Sequence, residues 1–117
     1  MKKFLTLFLL CWTACVYAQT APAFVISESS LINTEAYMKD FAPKAREIYA
    51  KYGGTFIVGT DKIEGVSNMD KTVTRVTIAK FDSFEKAQAM INSPERKELQ
   101  KSRAKYGTTR TYIVEGK

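Results

Sequence analysis

The sequence predicts a single α+β domain in which strands and helices follow one another along the chain. Segments with alternating apolar and polar residues, typical of strands, are separated by segments whose apolar residues recur every three or four positions, typical of helices. The 117 residues contain no tandem repeat, no low-complexity tract and no Pro-, Gly- or Ser-rich linker. Once an N-terminal segment is set aside, the rest is long enough for one small domain only.

That N-terminal segment, residues 1–18, has the three parts of an export signal. Two lysines precede an apolar run of about thirteen residues, and the segment ends on the small residue Ala18. Because a helix needs about 20 apolar residues to span a bilayer, we expect a cleaved signal, a periplasmic or secreted protein and no membrane span. The alternative is a lipoprotein with its lipid on Cys15, which the bulky Trp12 three residues earlier disfavours.

Removal of the signal takes away most residue types that serve catalysis and metal binding. Both cysteines and the only tryptophan lie within it, and the sequence has no His. The 99 residues from 19 to 117 therefore offer no Ser–His or Cys–His nucleophile and no zinc site of the usual Cys/His kind. Asp61, Glu64 and Asp70 are too sparse for an all-oxygen metal site. We expect neither a metal nor a cofactor.

The domain opens with a strand and a helix. Residues 23–28 alternate as a strand, and Asn33 or Thr34 then caps a helix. Pro43 lies within this helix and lacks an N–H, so we expect a bend near Phe41. The apolar stripe of the helix continues across the bend and consists of Tyr37, Phe41, Ala45, Ile48 and Tyr52.

Two strands follow this helix. The glycine pair 53–54 ends the helix, and residues 55–59 form the second strand. The polar segment 61–71 is a connection, in which we also consider a short strand around Ile63. Residues 72–81 alternate as the third strand. One side of that strand carries Val73, Arg75, Thr77, Ala79 and Phe81.

A second helical region occupies the stretch after the third strand. Asp82 precedes Glu85 by three residues, the spacing of a capping box. The residues of this helix predicted to face inward are Phe84, Ala87 and Ile91. A further helical segment then begins with Ser93 as its N-cap and Pro94 at its first position. We expect it to run to about Tyr106 and to stop at Gly107.

The last strand, residues 108–114, places Arg110, Tyr112 and Val114 on the side opposite to Thr109, Thr111 and Ile113. It completes the order strand, helix, strand, strand, helix, strand, which is the ferredoxin-like βαββαβ pattern with an antiparallel sheet. Helices should cover one sheet face. The other face has apolar residues on every strand and would meet water in a monomer, so we expect a homodimer that pairs the bare faces.

The charge of the processed chain is mildly positive. Loss of two lysines with the signal leaves 16 basic and 12 acidic residues, a net charge of +4. The basic residues between positions 96 and 110 are interrupted by Glu98 and have few aromatic residues near them. An exported chain also meets little nucleic acid. We therefore expect a solvated helix face there and no nucleic-acid partner.

Arg75 is the first candidate for a ligand contact. It lies on the apolar face of a strand predicted to be central, where a guanidinium must find an acceptor or reach water. One interpretation is that it clamps a carboxylate in a cavity through a two-pronged hydrogen bond. The other is a structural ion pair with Glu28, Glu64 or a carboxylate of a partner chain.

Arg103 and three tyrosines are further candidates. Arg103 could reach the same region as Arg75, or it could stabilise the end of its helix. Tyr37, Tyr52 and Tyr112 each combine an apolar ring with a polar tip, which suits a cavity wall or the edge of a core. Helical spacing alone accounts for Tyr37 and Tyr52. Acid–base catalysis would have to use a carboxylate or a tyrosine, and the spacing selects none.

Many short pieces of the sequence, taken in order, resemble one known family. The pieces are Phe24-Val25-Ile26-Ser27-Glu28, Glu35-Ala36-Tyr37, Lys51-Tyr52-Gly53-Gly54, Glu64-Gly65, Arg75, Phe81-Asp82-Ser83, Ser93-Pro94-Glu95, Arg103 and Val114-Glu115-Gly116. They resemble the family called domain of unknown function 1330, in the dimeric α/β-barrel superfamily, over essentially the whole chain after the signal. The chain departs from the family pattern in its export signal and at Arg96, where an aromatic residue commonly stands.

The resemblance implies a ferredoxin-like subunit whose sheet joins a partner's sheet to enclose a small cavity, and it implies no established chemistry. Two functions follow as expectations. The first is a homodimer that binds a small, partly apolar or anionic molecule between sheet and helices, with Arg75, Tyr37, Tyr112 and Arg103 as contacts. The alternative is a cofactor-independent oxygenase or isomerase, similar to some members of the wider superfamily.

Overall fold

Four strands form one antiparallel sheet in the order β2-β3-β1-β4, so β1 and β3 are central. Their bounds are β1 Ala23–Leu31, β2 Thr55–Thr60, β3 Arg75–Phe81 and β4 Gly107–Glu115. The computed structural model describes residues 21–117, and the predicted signal, with Cys15, lies outside the described residues. The central position predicted for the strand of Arg75 is confirmed.

Helical segments occupy two regions of the chain. The first region contains α1 Thr34–Ala36, a π-helical turn Tyr37–Phe41 and α2 Ala42–Lys51. The second contains α3 Phe84–Ile91, α4 Pro94–Gln100 and a 3₁₀ turn Arg103–Lys105. The chain order is therefore βαββαβ, and the predicted α+β, ferredoxin-like fold is confirmed. None of the helices within residues 21–117 is both long and apolar enough to cross a membrane.

The strand bounds differ from prediction where cross-strand pairing decides them. β1 is longer than predicted and continues to Leu31, because its polar C-terminal part still pairs with neighbouring strands. Ser29, for example, lies opposite Arg75 on β3 and opposite Thr109 on β4. β3 begins at Arg75, three residues later than predicted. Within the described chain, the connection from β2 to β3 contains no strand around Ile63, so that alternative is wrong.

The irregularity predicted near Phe41 takes the form of a π-helical turn. The Ala42 N–H donates to the Tyr37 carbonyl, one residue further back than in an α-helix. Pro43 then occupies the first turn of α2, a position in which proline is tolerated. The wider turn directs both Tyr37 and Phe41 inward, and both side chains are buried.

Two serines cap the second helical region. Ser83, and not Asp82 as predicted, caps α3, its Oγ accepting from the Lys86 N–H at 3.2 Å. Ser93 caps α4 as predicted and accepts from the Arg96 N–H at 3.2 Å. The α-helix ends at Gln100, a 3₁₀ turn then ends at Lys105, close to the predicted end, and Gly107 has a positive φ of 131°. A Cβ there would lie 2.0 Å from the Ser30 carbonyl oxygen, which explains the glycine.

The helices cover one face of the sheet, as predicted. On that face the strands bury Ala23, Val25, Ala79 and Phe81 against Tyr49, Ala87 and Met90. The opposite face, which we call the bare face, places Ile26 directly between Ile78 and Tyr112. Its large side chains reach solvent, with Ile57 54% and Tyr112 41% exposed. The alternation predicted from the sequence separates these two sets of residues, although it did not identify which side is bare.

Candidate functional site

A cavity of about 110 Å³ lies between the sheet and the helices, at the end of the sheet away from the packed core. Its floor is polar because the inward residues of β1 change from Ala23 and Val25 to Ser27 and Ser29. These serines pair with hydroxyls of β4, Ser27 with Thr111 and Ser29 with Thr109, each at 3.1 Å. The apolar core thus stops where a row of hydroxyl groups begins.

Arg103 lies buried at this cavity, with 7% of the residue exposed. Its Nη2 donates to the Ser29 Oγ at 2.8 Å. The guanidinium carbon lies 4.9 Å from the centre of the Tyr37 ring and 5.2 Å from that of Phe41, so both rings of the π-helical turn contact the cation. The side chain therefore runs to the sheet, which disfavours the alternative that it stabilises its own helix end.

The charge of Arg103 is only partly compensated. Its Nη1 is buried and has no hydrogen-bond partner within residues 21–117. Desolvation by burial lowers the pKa of Arg103 from its ordinary value, since it disfavours the charged form. An arginine nevertheless stays protonated in proteins. The cavity wall thus holds a cation whose Nη1 is buried without an acceptor in the described chain.

Arg75 reaches the same cavity from β3. Its Nε is buried and lacks a hydrogen-bond partner among the described residues. Its Nη2 lies 3.1 Å from the position that a Cβ of Gly59 would take, so the glycine of β2 leaves room for the guanidinium. Arg75 and Arg103 therefore both line this cavity, and each has one buried nitrogen without an acceptor in the described chain.

The ion pair between Arg75 and Glu28 that the sequence left open does not form within the subunit. Glu28 is on β1 next to Ser29, and successive side chains of a strand point to opposite faces. Its carboxylate instead accepts from the Tyr112 hydroxyl at 2.7 Å and lies 4.0 Å from Arg110. Within the described chain, Glu64 forms no ion pair with Arg75 either.

Tyr112 does not line this cavity. It belongs to the bare face, where its hydroxyl bond to the Glu28 carboxylate raises the pKa of the phenol. The prediction grouped Tyr112 with Arg75, although the predicted alternation of the last strand already set Tyr112 opposite to the hydroxyls of the floor. Tyr37 does line the cavity. Tyr52 lies elsewhere and donates to Glu95 at 3.0 Å.

Three residues that line the cavity were not predicted as ligand contacts: Tyr49, Arg46 and Arg96. Tyr49 is buried, and its ring stacks on Phe56 at 4.7 Å between ring centres. Burial raises the pKa of Tyr49, an effect that the positive charge of Arg96 opposes. Tyr49 follows Ala45 by four residues, so the helical stripe itself could have identified it.

The charged groups of the cavity are all of one sign. Four arginines line it: Arg46, Arg75, Arg96 and Arg103. No Asp or Glu of the described chain is among the lining residues. Apolar residues on the helix side of the wall are Ala42, Ala45, Ile48 and Leu99, and Phe56 of β2 adds a further apolar side chain. In residues 21–117, no three His, Cys, Asp or Glu side chains are grouped as a metal site requires. The arrangement suits an anion that carries an apolar part.

Comparison with known proteins identifies the family and the fold. The sequence profile of the family described as Domain of unknown function (DUF1330) matches residues 22–117, as the resemblance predicted. No curated protein matches the chain in sequence. A protein of unknown function from Rhodopseudomonas palustris is 14% identical, with 92% of each chain covered and a TM-score of 0.65.

Two further solved structures are similar. The cofactor-independent oxygenase SnoaB from Streptomyces nogalater is 13% identical, with 84% of this chain and 95% of that chain covered and a TM-score of 0.61. A dimeric protein of unknown function and ferredoxin-like fold from Bacteroides fragilis is 14% identical, with 84% and 99% covered and a TM-score of 0.55. At these identities the likeness shows a shared fold and nothing finer.

Proposed function

This chain belongs to the family described as Domain of unknown function (DUF1330), and we propose that it is an exported homodimer that binds a small, partly apolar anion between its sheet and helices. One observation carries the proposal. Four arginines line the cavity, Arg46, Arg75, Arg96 and Arg103, and no Asp or Glu of the described chain lines it. An anionic ligand would compensate this concentration of positive charge between sheet and helices.

Binding accounts for this site better than catalysis does. The oxygenase SnoaB supports a cofactor-independent enzyme as the alternative, through the shared fold alone. Such an enzyme needs a group that takes up a proton near neutral pH. The described lining offers neither a His nor a carboxylate, and burial holds the Tyr49 phenol in its protonated form. Cationic donors and apolar walls remain, and these recognise a ligand without transforming it.

Export and dimerisation have separate support. The three-part signal in residues 1–18 supports export, and mass spectrometry of the protein from the producing cell tests it. We expect a periplasmic or secreted chain that begins at Gln19. A cytoplasmic chain that retains residues 1–18, or a lipid on Cys15, would contradict that part of the proposal.

The apolar bare face and the dimeric relative from Bacteroides fragilis support the homodimer.

A thermal-shift screen with small organic anions and neutral molecules of equal size tests the binding proposal. A ligand at one hundred times its dissociation constant stabilises the folded state by about 2.7 kcal/mol, which raises the melting temperature by several degrees. We expect stabilisation by anions in the wild type and in Arg110→Gln, whose arginine is on the bare face, and none in Arg75→Gln. Equal responses of all three proteins would refute binding at this cavity.

A further inference from the structure

We propose that the cavity is entered at the edge of the sheet, between α2 and β2, and that Gly59 keeps this entrance open. The inference rests on the proposed function and adds the route by which an anion reaches its site. It follows from which lining residues reach solvent, from the packing of α2 on β2 and from the surroundings of Gly59.

The exposed part of the cavity lining lies on two neighbouring elements. Of the lining residues in the described chain, two are exposed, Arg46 on α2 and Gly59 on β2, and the others are buried or half-buried. β2 is an edge strand, so no further strand of residues 21–117 lies beyond it. The cavity therefore meets solvent between α2 and this edge of the sheet.

The packing of α2 on β2 limits the entrance on one side. The Tyr49 ring stacks on Phe56 at 4.7 Å between ring centres, and this contact closes the space nearest the turn that joins the two elements. Arg46 precedes Tyr49 by three residues, and Gly59 follows Phe56 by three. Both exposed residues thus lie on the far side of the stacked pair, where the opening begins.

The register of β2 places a glycine at this opening. Phe56 lies opposite Ala79, but a β-bulge shifts the pairing before Val58, so that Gly59 lies opposite Thr77. Regular pairing would have put Val58 opposite Thr77. Directly opposite residues share one face of a sheet, and Thr77 lines the cavity. The bulge therefore directs a residue without a side chain to the cavity face.

The backbone does not require glycine at position 59. Its φ is not positive, in contrast to that of Gly53 and Gly107. A Cβ there would lie 3.1 Å from Arg75 Nη2 and, its two chain neighbours aside, more than 4 Å from any other heavy atom of the described chain. Glycine weakens a strand and often marks a place where another molecule approaches the backbone. The open space at Gly59 thus suits a passage beside the Arg75 guanidinium.

Alkylation of an introduced cysteine tests the entrance without a known ligand. Residues 19–117 contain no cysteine, so Thr77→Cys places a single thiol on the cavity wall. The probes are iodoacetamide and iodoacetate, which are nearly equal in size and differ in charge. The thiolate displaces iodide from either probe, and mass spectrometry follows the product. Ala50→Cys, at an exposed position of α2, is the accessible reference, and Ala87→Cys, in the packed core, reports unfolding.

We expect Thr77→Cys to react about tenfold or more faster than Ala87→Cys, because its thiol needs no local opening of the fold. Addition of Gly59→Val should slow Thr77→Cys about tenfold or more with both probes, since the reaction then requires such an opening. Gly59→Val should not change the rate of Ala50→Cys. Its melting temperature should equal or exceed that of the parent, because strands favour valine over glycine.

Two outcomes would overturn the entrance. An unchanged rate of Thr77→Cys when Gly59→Val is added would place the entrance elsewhere and leave the binding proposal standing. A Thr77→Cys thiol as slow as that of Ala87→Cys would show a cavity closed to small molecules and would overturn both.

The charge of the probes tests the proposed function separately. Arg46 and Arg75 flank the entrance, and a cationic site concentrates anions. We expect the ratio of the iodoacetate rate to the iodoacetamide rate to be about threefold or more higher at Thr77→Cys than at Ala50→Cys. Equal ratios at the two cysteines would contradict an anion site and leave the entrance standing.

Discussion

Arg103 is a cation buried in a place where few groups compensate its charge. Ser29 accepts one hydrogen bond from it, Tyr37 and Phe41 contact its plane, and Nη1 has no partner in the described chain. Buried charges are normally paired, because desolvation of an ion costs several kcal/mol. A residue kept for ligand binding need not stabilise the fold, since binding sites are often built at the expense of stability.

Replacement of Arg103 by Met separates binding from stability. Methionine has a similar length and no charge to desolvate, so we expect Arg103→Met to change the free energy of unfolding by less than about 1.5 kcal/mol, or to raise it. The same variant should lose the anion-induced rise in melting temperature. Denaturant unfolding and a thermal-shift titration measure the two effects. A destabilisation of about 3 kcal/mol or more would show that Arg103 is a structural residue.

At this scale, three of the four residues predicted as ligand contacts line the cavity. Arg75, Tyr37 and Arg103 reach the cavity because strand alternation and helical spacing determine which way a side chain points. Tyr112 lies on the bare face instead. It was predicted as a ligand contact because its ring and hydroxyl suit a cavity wall, although the alternation of its strand placed it on the side opposite to the hydroxyls of the floor. Unpaired N–H groups cannot be predicted at all from one sequence, since they depend on where every neighbouring acceptor lies.

At the scale of elements, Glu95 joins the two helical regions. Its carboxylate accepts from Lys51 at the end of α2 and from the Tyr52 hydroxyl at 3.0 Å, while Glu95 itself belongs to α4. Hydrogen bonds from Lys51, from the backbone N–H of Glu95 and from Tyr52 lower the pKa of Glu95 from 4.5 to about 2, and the bond from Lys51 has the largest effect. The folded state thus binds its proton more weakly than the unfolded chain does, and the carboxylate stabilises the fold only while it is ionised.

We therefore expect Glu95→Gln to unfold at a lower temperature than the wild type at pH 7. The difference should be constant above about pH 4.5 and should disappear as the pH falls to about 2, because the wild-type carboxylate then also becomes neutral. Melting temperatures across this range measure it. Glu98→Gln is a matched control, since Glu98 pairs only with Lys101 one turn away on the surface. An undiminished difference at pH 2 would contradict the assignment.

The elements themselves were largely predictable, and their ends were not. Periodicity located all four strands and both helical regions, and Ser93 with Pro94 identified the start of α4 correctly. Asp82 was chosen as a cap over Ser83 because both residue types cap helices, and only the backbone geometry distinguishes them. The proline predicted an irregularity, but a π turn and a simple bend have the same sequence signal.

At the scale of the whole molecule, the bare face is the feature that supports the proposed homodimer. An apolar row crosses the adjacent strands β3, β1 and β4 and consists of Ile78, Ile26 and Tyr112. On the remaining strand, β2, Ile57 is also exposed. Exposed apolar area of this kind is unfavourable in water and typical of association surfaces. The proposed homodimer would cover this face and leave the cavity, which lies on the other side of the sheet, accessible in each subunit.

A charge in the middle of the bare face should separate the subunits. We expect the wild type to sediment as a dimer at micromolar concentration and Ile78→Glu to sediment as a monomer, because pairing would bury two like charges. Ala50→Glu adds the same charge at an exposed position of α2 and should remain dimeric. A stable single subunit in the wild type would contradict the homodimer.

The direct test of the binding site is a crystal structure of the processed protein grown with the organic anion that stabilises it most in the thermal-shift screen. We predict the anionic group at the cavity, with its oxygens about 2.7–2.9 Å from guanidinium nitrogens of Arg75 and Arg103. The apolar part of the anion should lie against Ala42 and Ala45. A cavity that holds water alone, or two arginines paired with a carboxylate from the partner subunit, would contradict the site on which this account of the protein depends.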